Sequence, residues 1–454
     1  MSHSINRREF VKATAAIGAG LFVSGKALGA DGKKDVLNVA FIGAGAQGQA
    51  LLDAAIKLGP EANIRILAIC DIWEQVNLRR VSRRVQAYKA AYGHEGRPYV
   101  DYKEMLDKET DLDAVFIATP DFWHAEQTVA CLERGLHVYC EKEMSNTLEG
   151  ARRMLEAARR TGKLLQIGHQ RRSNPRYRYC YEKYIQEAKL LGQITTVNGQ
   201  WNRSKASCED LDWPAGSEIP ESVLNQYGFK NMHQFRNWRW FKGLGGGPIV
   251  DLGSHQIDIY NWFLGTAPRS VMASGGIDYW KNHEWYDNVM AVYEYQTPDG
   301  PVRAFYQTLT TNSANGYFES FMGLKGTLVI SESANRGSVY RESWVPEEEW
   351  DPWVAKGYLK KAEGKPVVDN AQKEEAVLDV REGTFAPAEY KLPVSMNVPY
   401  HQPHIRNFLE AIRGNEKLTC PAEVGYETAV TVLKVNEAVE KGCRLEFKPE
   451  EFSV

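Results

Sequence analysis

Three groups of residues carry types and spacings that could do chemistry. Gly43-Ala44-Gly45-Ala46-Gln47-Gly48 is a GxGxxG pattern, and Asp71 stands 26 positions after Gly45. Such a loop can take an anion, because glycines permit a tight turn and close backbone approach while the N-terminus of a following helix presents free N–H groups to a pyrophosphate. An acid at the end of the next strand is then placed to accept from an adenosine ribose hydroxyl. Gly43 serves the turn, Gly45 the approach and Gly48 the packing of helix on strand. The second group is Ala118-Thr119-Pro120 with His124, followed by Glu141-Lys142-Glu143. The third is Gly245-Gly246-Gly247 leading to Asp251-Leu252-Gly253-Ser254-His255-Gln256-Ile257-Asp258. On a helix over 249–263, Asp251 and His255 lie four residues apart on one face, with Asp258 three further on.

These residues need elements to position them. Val36–Ile42 reads as a buried parallel strand running into the glycine loop, and a helix begins near Ala46. Apolar runs at 64–70, 114–118, 138–140 and 164–167 alternate with helical stretches at 46–58, 123–134 and 147–161, which implies a doubly wound parallel sheet, an α/β Rossmann domain over 36–167. From 168 to 454 the texture changes to alternating strands, among them 195–201, 289–295, 302–308 and 326–330, and predicts an α+β domain with an open, mostly antiparallel sheet. Residues 340–400, rich in charge, Pro and Trp, read as an insertion or arm, and helices at 404–413 and 422–441 are expected to pack back near the first domain.

Taken together the motifs resemble the Gfo/Idh/MocA family, named for glucose-fructose oxidoreductase, inositol dehydrogenase and a rhizopine-catabolism protein, over about residues 36 to 440. The resemblance implies a nicotinamide-dependent enzyme that oxidises or reduces sugars or cyclitols. It also implies that Lys142 sits by the nicotinamide and binds the reacting hydroxyl, and that Asp251 and His255 complete the acid/base system. Oxidising a secondary alcohol does need a base at its hydroxyl proton, and His titrates near neutrality. Asp258 could orient the imidazole or cap a local network. The cofactor-binding set expected on this basis is Gly43, Gly45, Gln47, Gly48, Asp71, Thr119, Pro120, His124, Glu141 and Lys142. Asp71 favours NAD by repelling a 2'-phosphate; Arg79 and Arg80 leave NADP open but read as a solvated face. One departure stands out. The family's Glu-Lys-Pro is Glu141-Lys142-Glu143 here, which puts an anion beside the lysine, able to raise its proton affinity or to contact substrate.

Aromatic faces and fork-shaped donors suit a saccharide cleft. Gly168-His169-Gln170-Arg171-Arg172, Trp201-Asn202-Arg203 and His233-Gln234-Phe235-Arg236-Asn237-Trp238 supply them. Arg171, Arg172, His233, Arg236 and Trp238, with Asp251 and His255, are the expected substrate contacts, and the paired arginines also admit an acidic or sulfated sugar. A redox-neutral, NAD-dependent glycosidase acting by transient oxidation and elimination is the alternative reaction, with Glu143, His124, His169 or His233 as its extra base. A noncatalytic sugar-binding protein is the alternative outside enzymology.

The bulk properties agree with this picture. The chain has 454 residues, 43% hydrophobic and 25% charged, with 55 Lys+Arg against 58 Asp+Glu and a net charge of −3, so nothing advertises a nucleic-acid partner. Seven scattered cysteines without a CxxC pair argue against zinc and against a disulfide scaffold, and no metal site is expected. Asn6-Arg7-Arg8-Glu9-Phe10-Val11-Lys12, the apolar run to Ser24 and Ala27-Leu28-Gly29-Ala30 resemble a twin-arginine export signal over residues 1–30. Cleavage is expected near Gly29 or Ala30, giving an exported or periplasmic protein with no membrane anchor. A homo-oligomer is expected from the open sheet.

Overall fold

The computed structural model describes residues 35–362 and 387–454, so the export signal and part of the 340–400 segment lie outside the described residues. Leu37–Val454 form one compact unit. Its first sheet is parallel throughout and has strands β1 (Leu37–Ile42), β2 (Ile64–Cys70), β3 (Arg97–Tyr99), β4 (Ala114–Ile117), β5 (His137–Cys140) and β6 (Leu165–Ile167) in the order β3-β2-β1-β4-β5-β6. That is the doubly wound order, whose strand order reverses between β1 and β4 and opens a crevice at the strands' carboxyl ends. Strands β1 and β4 are buried over their whole length, which explains their unbroken apolar runs. The short edge strand β3 has a charged residue, a proline and a tyrosine and gave no periodic signal.

The second sheet contains β7 (Ile194–Asn202), β8 (Ser270–Gly276), β9 (Asn288–Thr297), β10 (Gly300–Leu309), β11 (Tyr317–Gly323), β12 (Gly326–Ile330), β13 (Gly337–Arg341), β14 (Lys360–Lys361), β15 (Ala388–Lys391) and β16 (Leu445–Glu446). Its order is β14-β15-β13-β12-β11-β7-β10-β9-β8-β16, antiparallel except for the β7–β10 pair. The described part of the 340–400 segment therefore extends the sheet edge, with Trp350 buried against Tyr390.

Six helices position the site: α1 (Ala46–Lys57), α2 (Asp121–Glu133), α3 (Leu148–Thr161), α4 (Gly247–Leu264), α5 (Gln402–Ile412) and α6 (Ala422–Lys441). Helix α4 is buried on nearly every side, between the second sheet and α6; of its residues only Asp251 and Trp262 keep appreciable exposure. Gly253 makes this possible, since a Cβ there would stand 2.9 Å from the Tyr306 ring of β10. Helix α5 belongs to the first core although it comes late in the chain: Ile405, Phe408 and Leu409 join the cluster around β1, β2 and β4, and Phe408 meets Phe116 and Tyr139 edge-on at 5.5 and 5.9 Å. Six of the seven cysteines are buried free thiols and Cys443 is exposed.

Candidate active site

The glycine loop meets the geometric demands of a dinucleotide cradle. Gly43 has φ +94°, and a Cβ there would lie 2.6 Å from the Ala118 carbonyl oxygen; one at Gly48 would lie 1.9 Å from the Gly43 oxygen. Gly45, by contrast, faces open space, with nothing nearer its Cβ position than Asn77 at 4.0 Å. It caps α1 without a side-chain hydrogen bond, so the helix presents its first amides unclaimed by any cap. A cleft runs from this loop past Asp71, Asn77, Thr119, Pro120 and Gln47 to Glu141 and Lys142. These residues fit NAD: amides for the pyrophosphate, a carboxylate at the ribose position, and a polar far end for the nicotinamide.

Asp71 is less free than an ideal ribose acceptor. Its Oδ2 accepts from the Ala44 amide (2.7 Å) and its Oδ1 from the Trp73 amide (2.7 Å), with Asn77 at 3.3–3.4 Å. Burial pushes its carboxyl up despite those donors. Arg79 and Arg80 are exposed, and Arg79 pairs with Glu74 at 2.9 Å, as expected of a solvated face.

A second cleft opens beyond, lined by Trp201, Arg203, Trp240, Asp251, His255, Tyr317, Glu332 and His401, among others. Gln47, Glu141, Lys142, Leu211, Arg236 and Arg239 line both clefts, so Lys142 stands at their junction. Its Nζ donates to the Asp251 carbonyl oxygen and lies 3.3 Å from Asp251 Oδ1, while Arg239 Nε lies 3.4 Å from Oδ2. Burial alone would raise the Asp251 carboxyl, but Lys142, Arg239 and Arg203 together hold it well below the carboxylate range. His255 is only 7% exposed and burial drives its imidazole well below its ordinary value, so it is neutral. Its Nδ1 is sealed without a partner, which leaves Nε2 as the nitrogen with access to the cleft. Glu141 is held in place by Gln47 Nε2 at 3.0 Å and by its own chain at Lys142 N, 3.2 Å.

Several expected contacts lie elsewhere. His124 is fully buried, and its ring nitrogens lie 2.7 and 2.8 Å from the Glu143 and Thr119 carbonyl oxygens; it staples two loops and does not reach the nucleotide cleft. Arg171, 1% exposed, is locked between Glu319 and Glu332 behind the wall of the second cleft. Arg172 Nε donates to both oxygens of Asp258 (2.8 and 2.9 Å), whose Oδ1 also accepts from Thr428 (2.9 Å), so Asp258 serves this ion pair and not the His255 imidazole. His233 turns away from both clefts to Asp210 (2.9 Å), which also receives His283. Glu143 is fully buried, its peptide with Lys142 is cis, and burial pushes its carboxyl up to about 8, so it is largely neutral and touches neither cleft. His169 is likewise enclosed. Of the substrate set, Arg236, Trp238, Asp251 and His255 line a cleft.

Three lining residues escaped the sequence reading. Asp121 begins α2 directly after Thr119-Pro120, and burial, then the Asp251 carboxylate, push its carboxyl up to about 7. Arg239 sits in the aromatic segment that supplied Arg236 and Trp238. His401, whose Nε2 lies 2.9 Å from Gln47 Nε2, enters from just before α5 and has no local signal at all.

Comparison with known proteins agrees with this geometry. The oxidoreductase-family model for an NAD-binding Rossmann fold matches residues 37–169, and the model for the family's C-terminal alpha/beta domain matches 222–447. An alpha-N-acetylgalactosaminidase of Shewanella oneidensis is 29% identical over 180 residues, 36% of this chain and 38% of that protein. A 1,5-anhydro-D-fructose reductase of Ensifer adhaerens is 28% identical over 244 residues, 53% and 64% respectively, so the chain matches less than two thirds of the length of either relative. Levoglucosan dehydrogenase in complex with NADH and levoglucosan shares the fold at a TM-score of 0.63 and 18% identity, over 91% of this chain and 99% of that one. The chain belongs to the Gfo/Idh/MocA oxidoreductase family, with its NAD-binding Rossmann fold followed by the family's C-terminal α/β domain.

Proposed function

We propose that this protein is an NAD-dependent oxidoreductase acting on a ring hydroxyl of a sugar, glycoside or cyclitol. The observation that carries the reading is Lys142 at the junction of the glycine-loop cleft and a second cleft lined by aromatic and polar side chains, with Asp251 and His255 beside it. When bound, the nicotinamide supplies a hydride acceptor or donor. The Lys142 ammonium donates to the substrate oxygen and stabilises the alkoxide that develops there. Neutral His255 takes the hydroxyl proton at Nε2, and the half-buried rings of Trp201 and Tyr317, stacked at 4.7 Å, offer an apolar face for the sugar's CH groups. Asp251 holds Lys142 in place through its carbonyl and carboxylate oxygens.

Redox-neutral glycoside hydrolysis is the second reading. The Shewanella relative favours it, and Asp121 supplies the further carboxyl such a reaction needs, since His124, His169, His233 and Glu143 do not line the clefts. The test is to denature purified protein, identify released nucleotide by mass spectrometry, and incubate native protein with a glycoside panel. Keto-sugar with NADH supports the dehydrogenase; hydrolysed sugar without net redox change supports the glycosidase. Protein that neither carries nor binds NAD overturns both.

In the dehydrogenase reading, where Asp121 has no role in the chemical step, its carboxyl gives the reaction a pH signature. Below pH about 7 it is neutral; above, it becomes a second anion facing Lys142 and competes with the substrate oxygen for its protons. The profile of kcat/KM is expected to fall through an inflection near 7, and Asp121→Asn to hold the low-pH value to higher pH. An unchanged inflection in the variant excludes this group. Self-association through the outer face of the second sheet, where Met272 and Met290 are about half exposed, completes the proposal, and a monodisperse monomer in light scattering would contradict it.

A further inference from the structure

The second cleft carries more positive charge than the chemistry above uses. Four cations line it: Lys142, Arg203, Arg236 and Arg239. Of its four acids, Glu332 is paired with Arg171 (3.0 Å) and Glu209 with Lys205 (3.3 Å), both partners standing outside the lining. Asp251 is shared by Lys142 and Arg239, and Glu141 is held by Gln47. Arg203 and Arg236 form no direct ion pair among the described residues, although the Arg203 charge acts at longer range on the Asp251 carboxyl. Arg236 is spread over the Trp73 ring at 5.0 Å, with its Nε on the Asp212 carbonyl oxygen (3.2 Å). Arg203 is anchored at the end of β7 by its amide to Leu309 (2.8 Å), and its guanidinium lies over the Trp201 ring at 5.6 Å, making no hydrogen bond or ion pair among the described residues.

A half-buried guanidinium with five donors and no acceptor is poised for a ligand oxyanion. The dinucleotide does not account for it. Arg236 borders both clefts, but Arg203 lines the second alone, away from the pyrophosphate loop. The two arginines that the sequence offered for an acidic sugar, Arg171 and Arg172, are spent on internal carboxylates, whereas Arg203 is not. The geometry points to a sugar bearing an oxyanion substituent, a carboxylate or a sulfate ester, as the ligand of the second cleft, with Arg203 reading the anion and Arg236 supporting it. The inference rests on the carbohydrate reading of the same cleft and narrows it.

The test is equilibrium binding to NADH-loaded protein, followed by tryptophan fluorescence or calorimetry, for matched sets of methyl glycosides: neutral hexoside, uronide and 6-sulfate. The anionic member of the set that binds is expected to bind at least about tenfold more tightly than its neutral counterpart, the range of a charge-assisted hydrogen bond. Raising salt from about 0.05 to 0.5 M should shrink the preference. Arg203→Gln should cut the anionic-to-neutral ratio about tenfold, with Arg203→Lys retaining part of it, because the charge survives and the fork does not. Preference for sulfate over carboxylate, or the reverse, identifies the substituent. Equal binding of neutral and anionic members to the wild type, or an equal loss of both in Arg203→Gln, overturns the anion assignment and leaves the carbohydrate reading standing. Protein that binds NADH but no glycoside of either charge overturns the carbohydrate reading itself.

Discussion

Lys142→Met is expected to lower kcat by about 10²–10⁴-fold, the range for removing a positioned proton-transfer or charge-stabilising group, while NADH affinity changes by less than about tenfold. The argument is electrostatic. The ammonium is the cation shared by both clefts that touches Asp251 through both its carbonyl and its carboxylate. Methionine fills a similar volume but offers no proton and no charge, so an alkoxide forming at the junction would face the Asp251 carboxylate with Arg239, 3.4 Å from that carboxylate, and the more distant Arg203 to offset it. The nucleotide's phosphates would be held elsewhere, by the amides opening α1, and should not feel the change strongly. Stopped-flow NADH formation and NADH fluorescence titration separate the two quantities. His255→Ala should cost a comparable factor, and the double variant far less than the product, because the two groups act on one proton. Turnover unchanged in Lys142→Met would remove it from the reaction.

What could be read from sequence followed the range of the interactions involved. The glycine loop and Asp71 are local, specified by a strand end and its spacing; Lys142 and the Asp251–His255 pair stand in equally short motifs, and the family resemblance implied their roles. The strands of the first sheet were legible because burial on both faces demands unbroken apolar runs, while β3, three residues long, has none. Side-chain direction was not legible. Arg171 and Arg172 are neighbours in a motif-like run, yet partners 148 and 86 residues away capture them, Glu319 and Asp258. His233 similarly answers to Asp210 on a separate loop. Whether an arginine meets ligand or an internal carboxylate depends on which acids the fold brings behind it, and no local pattern encodes that. The same long-range assembly explains His401, which reaches Gln47 from 354 residues away because α5 packs on the first sheet.

Arg171→Met tests that distinction in the opposite sense, because the structure makes this residue a keystone of the core and not a ligand contact. Its guanidinium is almost wholly buried, bonded to Glu319 and, at Nε, to Glu332 (3.0 Å), with Tyr177 donating to Glu319 (2.7 Å) and Gln170 to Glu332 (3.1 Å). Removing one member of a buried ion cluster is expected to cost about 3–5 kcal/mol, since the carboxylates left behind have lost their counterion. The deficit should depend on pH. Burial already pushes the Glu319 carboxyl up to about 7 even with Arg171 beside it, and without the arginine it must rise further. A carboxyl that stays protonated in the fold but ionises when the chain unfolds makes stability fall as pH rises from the unfolded value towards the folded one. Thermal melts should therefore show Arg171→Met closest to wild type near pH 5 and increasingly below it towards pH 8. Adding Glu319→Gln should recover part of the loss at the alkaline end, since it removes one of the stranded charges. A substrate-binding arginine would behave otherwise: the same substitution would raise KM and leave the melting temperature and its pH dependence in place.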